Sequence, residues 1–256
     1  MIHPTAIIDP SAKIAGDVEI GAYSIIGAEV EIAEGTWIGP HVVINGPTKI
    51  GKHNKIFQFA SIGEDPQDLK FAGERSFLEI GDYNKIRESV TIHRGTEDGG
   101  GITRIGSHNL LMAYVHVAHD CQLADHIILA NSASLAGHVE VSEYAILGGF
   151  TLVHQFGRIG AHCMTSMGSA VNQDVPPFMI VTGNYARAVG INKVGLKRRD
   201  FSDETIRAIT NAYKIMVRSK KTRAEALQAV KPLVEQYPEV KMFVDFIEAS
   251  KRGIVR

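Results

Sequence analysis

A triangular parallel β-solenoid over residues 1–182, followed by a small α-helical domain over residues 183–256, is the architecture this 256-residue sequence predicts. Three observations carry it. Isoleucine stands at every sixth position from Ile2 to Ile62, and from Ile2 through Ile56 a small or modest side chain follows four residues after each. The pattern then stops at Pro176-Pro177, beyond which the signals are those of capped helices.

The hexads open the chain. Ile2, Ile8, Ile14 and Ile20 are followed by Ala6, Ala12, Val18 and Ser24, and glycine often comes directly after the isoleucine, as at Gly21, Gly27 and Gly39. A helix repeats near 3.6 residues and a strand at 2, so neither explains a period of six. A short strand ending in a corner does: the aliphatic residue points inward, the small one lets the chain turn, and three hexads close a coil of 18 residues. Stacked coils then pair as parallel sheet, about 4.8 Å apart.

The phase continues through Ile80, Ile86 and Ile92, restarts at Ile105 and runs to Ile159, with Thr165 the exception before Val171. Two stretches, near 64–79 and near 94–104, fall out of phase. In a solenoid such extra residues are extruded as loops on one face, where function concentrates. Both cysteines, Cys121 and Cys163, occupy the small-residue position of their hexads and read as core filler; two thiols make neither a disulfide framework nor a four-thiolate zinc site. Past a connecting stretch, Ser202-Asp203-Glu204 reads as a capped helix start and Thr222 to Glu225 as a capping box. A third helix is expected from near Pro238 to before Gly253.

Composition removes several classes. At 45% hydrophobic content the chain can bury a core, its longest apolar runs are only a few residues, and Met1-Ile2 is followed by His3-Pro4-Thr5 rather than a charged-then-apolar leader. The expectation is a cytoplasmic protein without a membrane span. The net charge of -1 is a cancellation: residues 183–256 carry 16 Lys and Arg against 8 Asp and Glu, residues 1–182 carry 11 against 20, and all 11 histidines lie in the acidic part. Histidine chemistry therefore belongs to the solenoid, and the tail is suited to an anionic partner.

A coil of 18 residues turns sequence separation into proximity. His119, Gly137 and Gln155 should stack on one face, with Asp120, His138 and Phe156 in the next column and His154 on the other side. The backbones of His119 and His138 should lie roughly 6 Å apart. Three chemistries fit. A neutral imidazole suits general-base work, with Asp120 fixing the tautomer if a corner lets neighbouring side chains face the same way, and with the Gly137 N–H donating to an oxyanion. Alternatively His119, His138 and His154 ligate zinc, or they decorate a polar face.

At these residues the sequence resembles a known family. His93-Arg94-Gly95-Thr96, Ala118-His119-Asp120-Cys121, Leu135-Ala136-Gly137-His138-Val139, His154-Gln155-Phe156, Gln173-Asp174-Val175-Pro176-Pro177 and Gly195-Leu196-Lys197-Arg198-Arg199 follow the order and spacing of the UDP-N-acetylglucosamine O-acyltransferases of lipid A biosynthesis, within the hexapeptide-repeat acyltransferases. The resemblance runs over nearly the whole chain. It implies a left-handed parallel β-helix, a homotrimer with sites between subunits, and transfer of an (R)-3-hydroxyacyl group from acyl carrier protein to the glucosamine 3-hydroxyl of UDP-N-acetylglucosamine. No metal or other cofactor and no nucleic acid is implied.

Carried over by motif, His119 is the general base, Asp120 its orienting partner and Gly137 the oxyanion donor. His138, His154 and Gln155 line the sugar-phosphate site, and Gln67, Asp68 and Lys70 belong to the substrate loop. Asn192 and Arg198 match the nucleotide-contacting segment, although Val194 replaces the acidic residue common two positions after this asparagine. Met167 stands where the family closes the acyl pocket and implies a chain of about ten carbons. Arg199, Arg218, Lys220, Lys221 and Arg223 are the expected carrier-protein contacts, with Lys197 and Arg198 beside them. A related N-acyltransferase, a coenzyme-A-dependent acetyltransferase and a zinc carbonic anhydrase share the solenoid and remain the alternatives; a non-enzymatic scaffold leaves the clustered histidines and paired loops unexplained.

Overall fold

The structure, a computed structural model, describes all residues 1–256. Residues 7–182 wind into a prism whose three faces are sheets of nine, eight and ten strands. Strands of two to four residues pair in parallel with the strand one coil on: Ile7 with Ile25, Ile25 with Val43, Val43 with Ser61. Antiparallel pairing occurs once, where Met179–Thr182 meets Arg187–Ile191 and ends the ten-stranded sheet. No helix is long and apolar enough to cross a membrane.

The periodic aliphatic residues fill the prism. Ile26, Ile38, Ile56 and Ile86 are fully buried, each contributing on the order of 1.5–3 kcal/mol relative to an exposed position. Ile2, at the open end, is 46% exposed because no coil lies beneath it. Thr165, the break in the pattern, still points inward. Its hydroxyl is satisfied by the Thr151 hydroxyl at 2.7 Å and by the Gly148 N–H at 3.0 Å. Cys121 and Cys163 are buried free thiols, both pushed up to about 12 by desolvation.

Two coils are longer than 18 residues. Ser61 pairs with Thr91 and Thr91 with His116, so 12 and 7 extra residues are extruded before the phase returns with His116 paired to Ser134. The first loop leaves the strand Ser61–Glu64 and rejoins at Phe77–Ile80; the second spans the stretch between Thr91–His93 and Ile102–Ile105.

Corners turn through left-handed backbone, and non-glycine residues take it at a cost of roughly 1–2 kcal/mol each. Stacking between coils offsets part of that. Along the edge between the eight- and ten-stranded sheets, His53, Tyr83, His108, His126, Tyr144, His162 and Phe178 all have positive φ and form one continuous stack of rings, centroids 4.7–5.7 Å apart.

The C-terminal region packs on the last coils. Its helices are α1 (Lys193–Lys197), α2 (Asp203–Tyr213), α3 (Arg223–Gln236) and α4 (Pro238–Ala249), with a π-helical turn at Lys214–Arg218. Ser202 caps α2, and the Thr222–Glu225 capping box starts α3. The short α1 lies inside what the sequence marks only as a connection. Residues after α4 return to the prism, where Asp174 accepts from the Ser250 hydroxyl at 2.7 Å and Val255 N–H donates to the Asp174 carbonyl.

Candidate active site

The corner between the nine- and eight-stranded sheets brings the expected column together. His138 N–H donates to the His119 carbonyl and Phe156 N–H to the Gly137 carbonyl, each at 3.0 Å, so successive coils stack in register. Asp120 has φ 61°. That left-handed turn is what lets neighbouring residues His119 and Asp120 face one another, which regular strand alternation forbids. His119 Nδ1 lies 2.8 Å from Asp120 Oδ2.

Asp120 is held on every side. Its Oδ2 also accepts from the Thr96 hydroxyl at 2.7 Å, its Oδ1 accepts from the Thr96 N–H at 2.9 Å, and its own N–H donates to Thr103 Oγ1 at 2.7 Å. Burial favours the neutral acid, but the hydrogen bonds from His119 and Thr96 outweigh it and keep the carboxyl below its ordinary value. An ionised Asp120 requires a proton on His119 Nδ1, which leaves the Nε2 lone pair free.

Gly137 provides the space. A Cβ there would sit 2.5 Å from His119 Cε1 and 2.7 Å from Nε2. Its N–H donates to no group of the chain. His138 packs edge-to-face on His119 at 5.1 Å and stacks on Phe156 at 4.3 Å. Burial holds His138 below the usual imidazole range, with Asp120 opposing.

Two more histidines belong to the cluster: His93, from the His93-Arg94-Gly95-Thr96 motif but assigned no role from sequence, and His116, which the sequence does not mark. His116 bonds Thr91 Oγ1 through Nδ1 at 2.8 Å and packs on His93 at 5.1 Å. Desolvation lowers both, His93 to about 4. His116 stands one coil before Ser134 beside the His119 column, so the 18-residue spacing was the signal that could have found it.

The three-histidine zinc arrangement is not formed. His119, Asp120 and His138 lie close enough to share an ion. His154, however, faces Arg252 Nη2 through its Nδ1 at 3.1 Å, and the Asp120 oxygen next to His119 already takes two donors.

Both extruded loops close over this corner. Lys70 reaches Asp98 at 3.8 Å, and Asp68 accepts from the Lys70 N–H at 3.0 Å. Gln67 is exposed and Leu69 protrudes fully into solvent. A cavity of about 970 Å³ runs from Asp120 and His138 past Phe156 to Arg158, Lys251 and Arg252. Arg252 also contacts the Gln155 carbonyl. Arg158 is paired with Glu140 at 3.1 Å, whereas Lys251 and Arg252 have no carboxylate partner, so the far end of the cavity is cationic. Neither residue was singled out from sequence. A second cavity of about 710 Å³ on the eight-stranded sheet holds none of these histidines.

Other expected residues have different surroundings. Asn192 is buried as the cap of α1: its Oδ1 accepts from Gly195 N–H and its Nδ2 donates to the His162 carbonyl, both at 3.1 Å. One N–H and one lone pair of that amide are thereby taken. Arg199 is likewise committed, donating to the Tyr144 carbonyl at 3.2 Å with its guanidinium over the Tyr144 ring. It ties the tail to the prism while staying half-exposed. Arg198, Arg218, Lys220, Lys221 and Arg223 are exposed. Met167 is 78% exposed on the corner between the ten- and nine-stranded sheets, a different edge from His119.

Comparison with known proteins adds the following. Residues 174–255 match the family profile "Udp N-acetylglucosamine O-acyltransferase; Domain 2", and residues 1–34 match "Bacterial transferase hexapeptide (six repeats)". The acyl-[acyl-carrier-protein]–UDP-N-acetylglucosamine O-acyltransferase of Thiobacillus denitrificans is 54% identical over 255 residues, covering 100% of this chain and 99% of that one. That of Herminiimonas arsenicoxydans is 55% identical over 262 residues, with the same coverage. Among solved structures, the Moraxella catarrhalis UDP-N-acetylglucosamine O-acyltransferase superposes with a TM-score of 0.97 at 50% identity, covering 100% of this chain and 99% of that one.

Proposed function

The chain belongs to the UDP-N-acetylglucosamine O-acyltransferase family, and we propose that it transfers an acyl group from acyl carrier protein to UDP-N-acetylglucosamine, the first step of lipid A biosynthesis, by general-base catalysis from His119. The observation that carries this mechanism is the 2.8 Å contact from His119 Nδ1 to an immobilised Asp120, which leaves Nε2 free against Gly137, whose N–H has no partner in the chain.

Nε2 removes the proton of the glucosamine 3-hydroxyl as that oxygen attacks the thioester carbonyl carbon. The Gly137 N–H stabilises the oxyanion. Collapse breaks the C–S bond, and the imidazolium, stabilised by Asp120, returns its proton to the departing thiolate of the carrier protein. The acyl group passes directly to the sugar and requires no covalent enzyme intermediate.

His138 lines the cavity, and His154 and Gln155 contact Arg252 at its far end, where they suit the sugar-phosphate. Gln67, Asp68 and Lys70 approach from the loop above, and Arg198 is free to pair with phosphate. Carrier-protein docking falls to the exposed cations Arg218, Lys220, Lys221 and Arg223.

For the donor we propose an (R)-3-hydroxyacyl chain of about ten carbons, measured by Met167 from a neighbouring copy in a homotrimer. One side of the prism, six residues long, spans roughly 20 Å, so His119 and Met167 of one chain cannot line one pocket. The 48 residues from His119 to Met167 are two and two-thirds coils, an axial offset of about 13 Å. An extended chain of about ten carbons fills that distance.

His119→Ala in the purified protein tests the base. The variant should keep the fold and lose transfer of hydroxyacyl groups to UDP-N-acetylglucosamine. Substantial remaining activity would refute the assignment.

A further inference from the structure

The second extruded loop carries a residue whose contacts go beyond loop closure. Thr96 puts two donors on the Asp120 carboxylate: its hydroxyl on Oδ2 at 2.7 Å and its N–H on Oδ1 at 2.9 Å. Thr96 is itself buried, at 4% exposure, and fixed as the cap of the 3-10 turn Glu97–Gly99, accepting the Gly99 N–H at 3.2 Å. Gly99 then closes on the same carboxylate, for a Cβ at 99 would meet Asp120 Cγ at 2.0 Å and both oxygens within 2.3 Å. The loop thus holds both carboxylate oxygens of Asp120 and shares Oδ2 with His119.

We infer that Thr96 is a positioning residue for the acyl transfer, acting through Asp120 on His119, with Gly99 closing the clamp. The inference rests on the general-base reading of His119. Its physical basis is a competition. Asp120 Oδ2 lies 2.8 Å from His119 Nδ1 but also 3.8 Å from His138 Nδ1. Two imidazoles can therefore attract one carboxylate. A carboxylate free to rotate about its Cβ–Cγ bond would divide its time between them, and His119 would lose both its fixed ring orientation and the partner that stabilises its imidazolium. Thr96 occupies one lone pair on each oxygen and removes that rotation. The Thr96 backbone donor survives replacement by valine or serine, so the hydroxyl is the part that can be tested alone.

Thr96→Val keeps shape and removes the hydroxyl. A hydrogen bond to a charged group is worth roughly a 10- to 100-fold rate factor. The expected outcome is a kcat lowered by that factor, KM for UDP-N-acetylglucosamine and for the acyl carrier protein thioester within two-fold of the unaltered chain, and recovery of most of kcat in Thr96→Ser. A residue acting through Asp120 should also add nothing further on an Asp120→Asn background. Gly99→Ala is the second variant: it leaves the hydroxyl in place but pushes on the carboxylate, and should lower kcat in the same way. Thermal unfolding of each variant identifies those that are folded.

Full kcat in folded Thr96→Val and Gly99→Ala would overturn the inference, as would a loss confined to KM or one that multiplies with that of Asp120→Asn. Those results leave the general-base reading intact as long as His119→Gln is inactive. An active His119→Gln would remove that reading whatever Thr96 does.

Discussion

Gly137 is not in the left-handed region, so its glycine is there for space, and Gly137→Ala measures what that space is worth. The added methyl carbon would lie 2.5 Å from His119 Cε1, 2.7 Å from Nε2 and 3.2 Å from Nδ1. Ordinary carbon contacts begin near 3.5 Å, so the ring must retreat by about 1 Å. The imidazole is also tied to Asp120 at 2.8 Å, and a shift of that size either stretches the bond beyond hydrogen-bonding range or tilts Nε2 off its line to the substrate. Misplacement of a catalytic group by about 1 Å costs roughly 100-fold in rate. Overpacking at this buried position should cost about 1–3 kcal/mol of stability. The Gly137 N–H survives in the alanine variant, so the loss reports on His119 alone. The assay is steady-state acyl transfer at saturating substrates, with thermal unfolding run beside it. A folded variant with kcat within two-fold of the unaltered chain would show that His119 does not act from its observed position.

Further expectations concern the substrates and pH. Met167→Gly should raise kcat/KM for a fourteen-carbon donor relative to a ten-carbon one by at least ten-fold; an unchanged ratio would sink the ruler. Reversing charge at Lys220 and Lys221 should raise KM for acyl carrier protein several-fold and weaken the salt dependence of transfer, with KM for the sugar nucleotide unchanged. His162 is lowered to about 4 by burial and by the nearby Arg199, so the unfolded chain binds protons at His162 between about 6.5 and 4 that the folded chain refuses. Its contribution to stability is therefore complete above about 6.5 and lost as pH falls toward 4. His162→Phe, which keeps a ring between Tyr144 and Phe178, should flatten the fall in Tm between pH 6.5 and 4; an unchanged slope would contradict the buried, neutral imidazole.

How much of this was legible depends on whether a residue lies inside the period. Ile2 through Ile62 repeat without a gap, and a six-residue repeat admits few architectures, so the prism and the stacking of His119, Gly137 and Gln155 could be read before any coordinates. Thr96 and Gly99 could not, because an extruded loop has no period and only the closed loop shows that it lands on Asp120. Lys251 and Arg252 were hidden for another reason: the tail returns to the prism through Asp174, a tertiary contact that no local pattern encodes. Asn192 and Arg199 show the converse. Their residue types suit ligand contact, and the fold adds a second use that no local pattern encodes: the short α1 takes the amide as its cap, and the Tyr144 carbonyl takes one guanidinium donor.

The placement of the chemistry at a corner follows from the geometry of the repeat. A two-residue strand sends one side chain into the core and one outward, so it can present only a single functional group per coil on a given face. A left-handed corner breaks that alternation, and here it turns Asp120 back onto His119 and His138 onto Phe156 in the next coil. Each such corner costs backbone energy, and most of the others recover it through ring stacking. The corner at Asp120 has no ring in its own column position and recovers the cost through four hydrogen bonds instead, three to its carboxylate and one from its N–H. The bonds that make this strained turn tolerable are thus the same bonds that fix the general base. A substitution that frees Asp120 should therefore loosen the corner and the catalytic histidine together, which makes the coupling between stability and kcat across variants at Thr96, Gly99 and Asp120 a direct readout of this design.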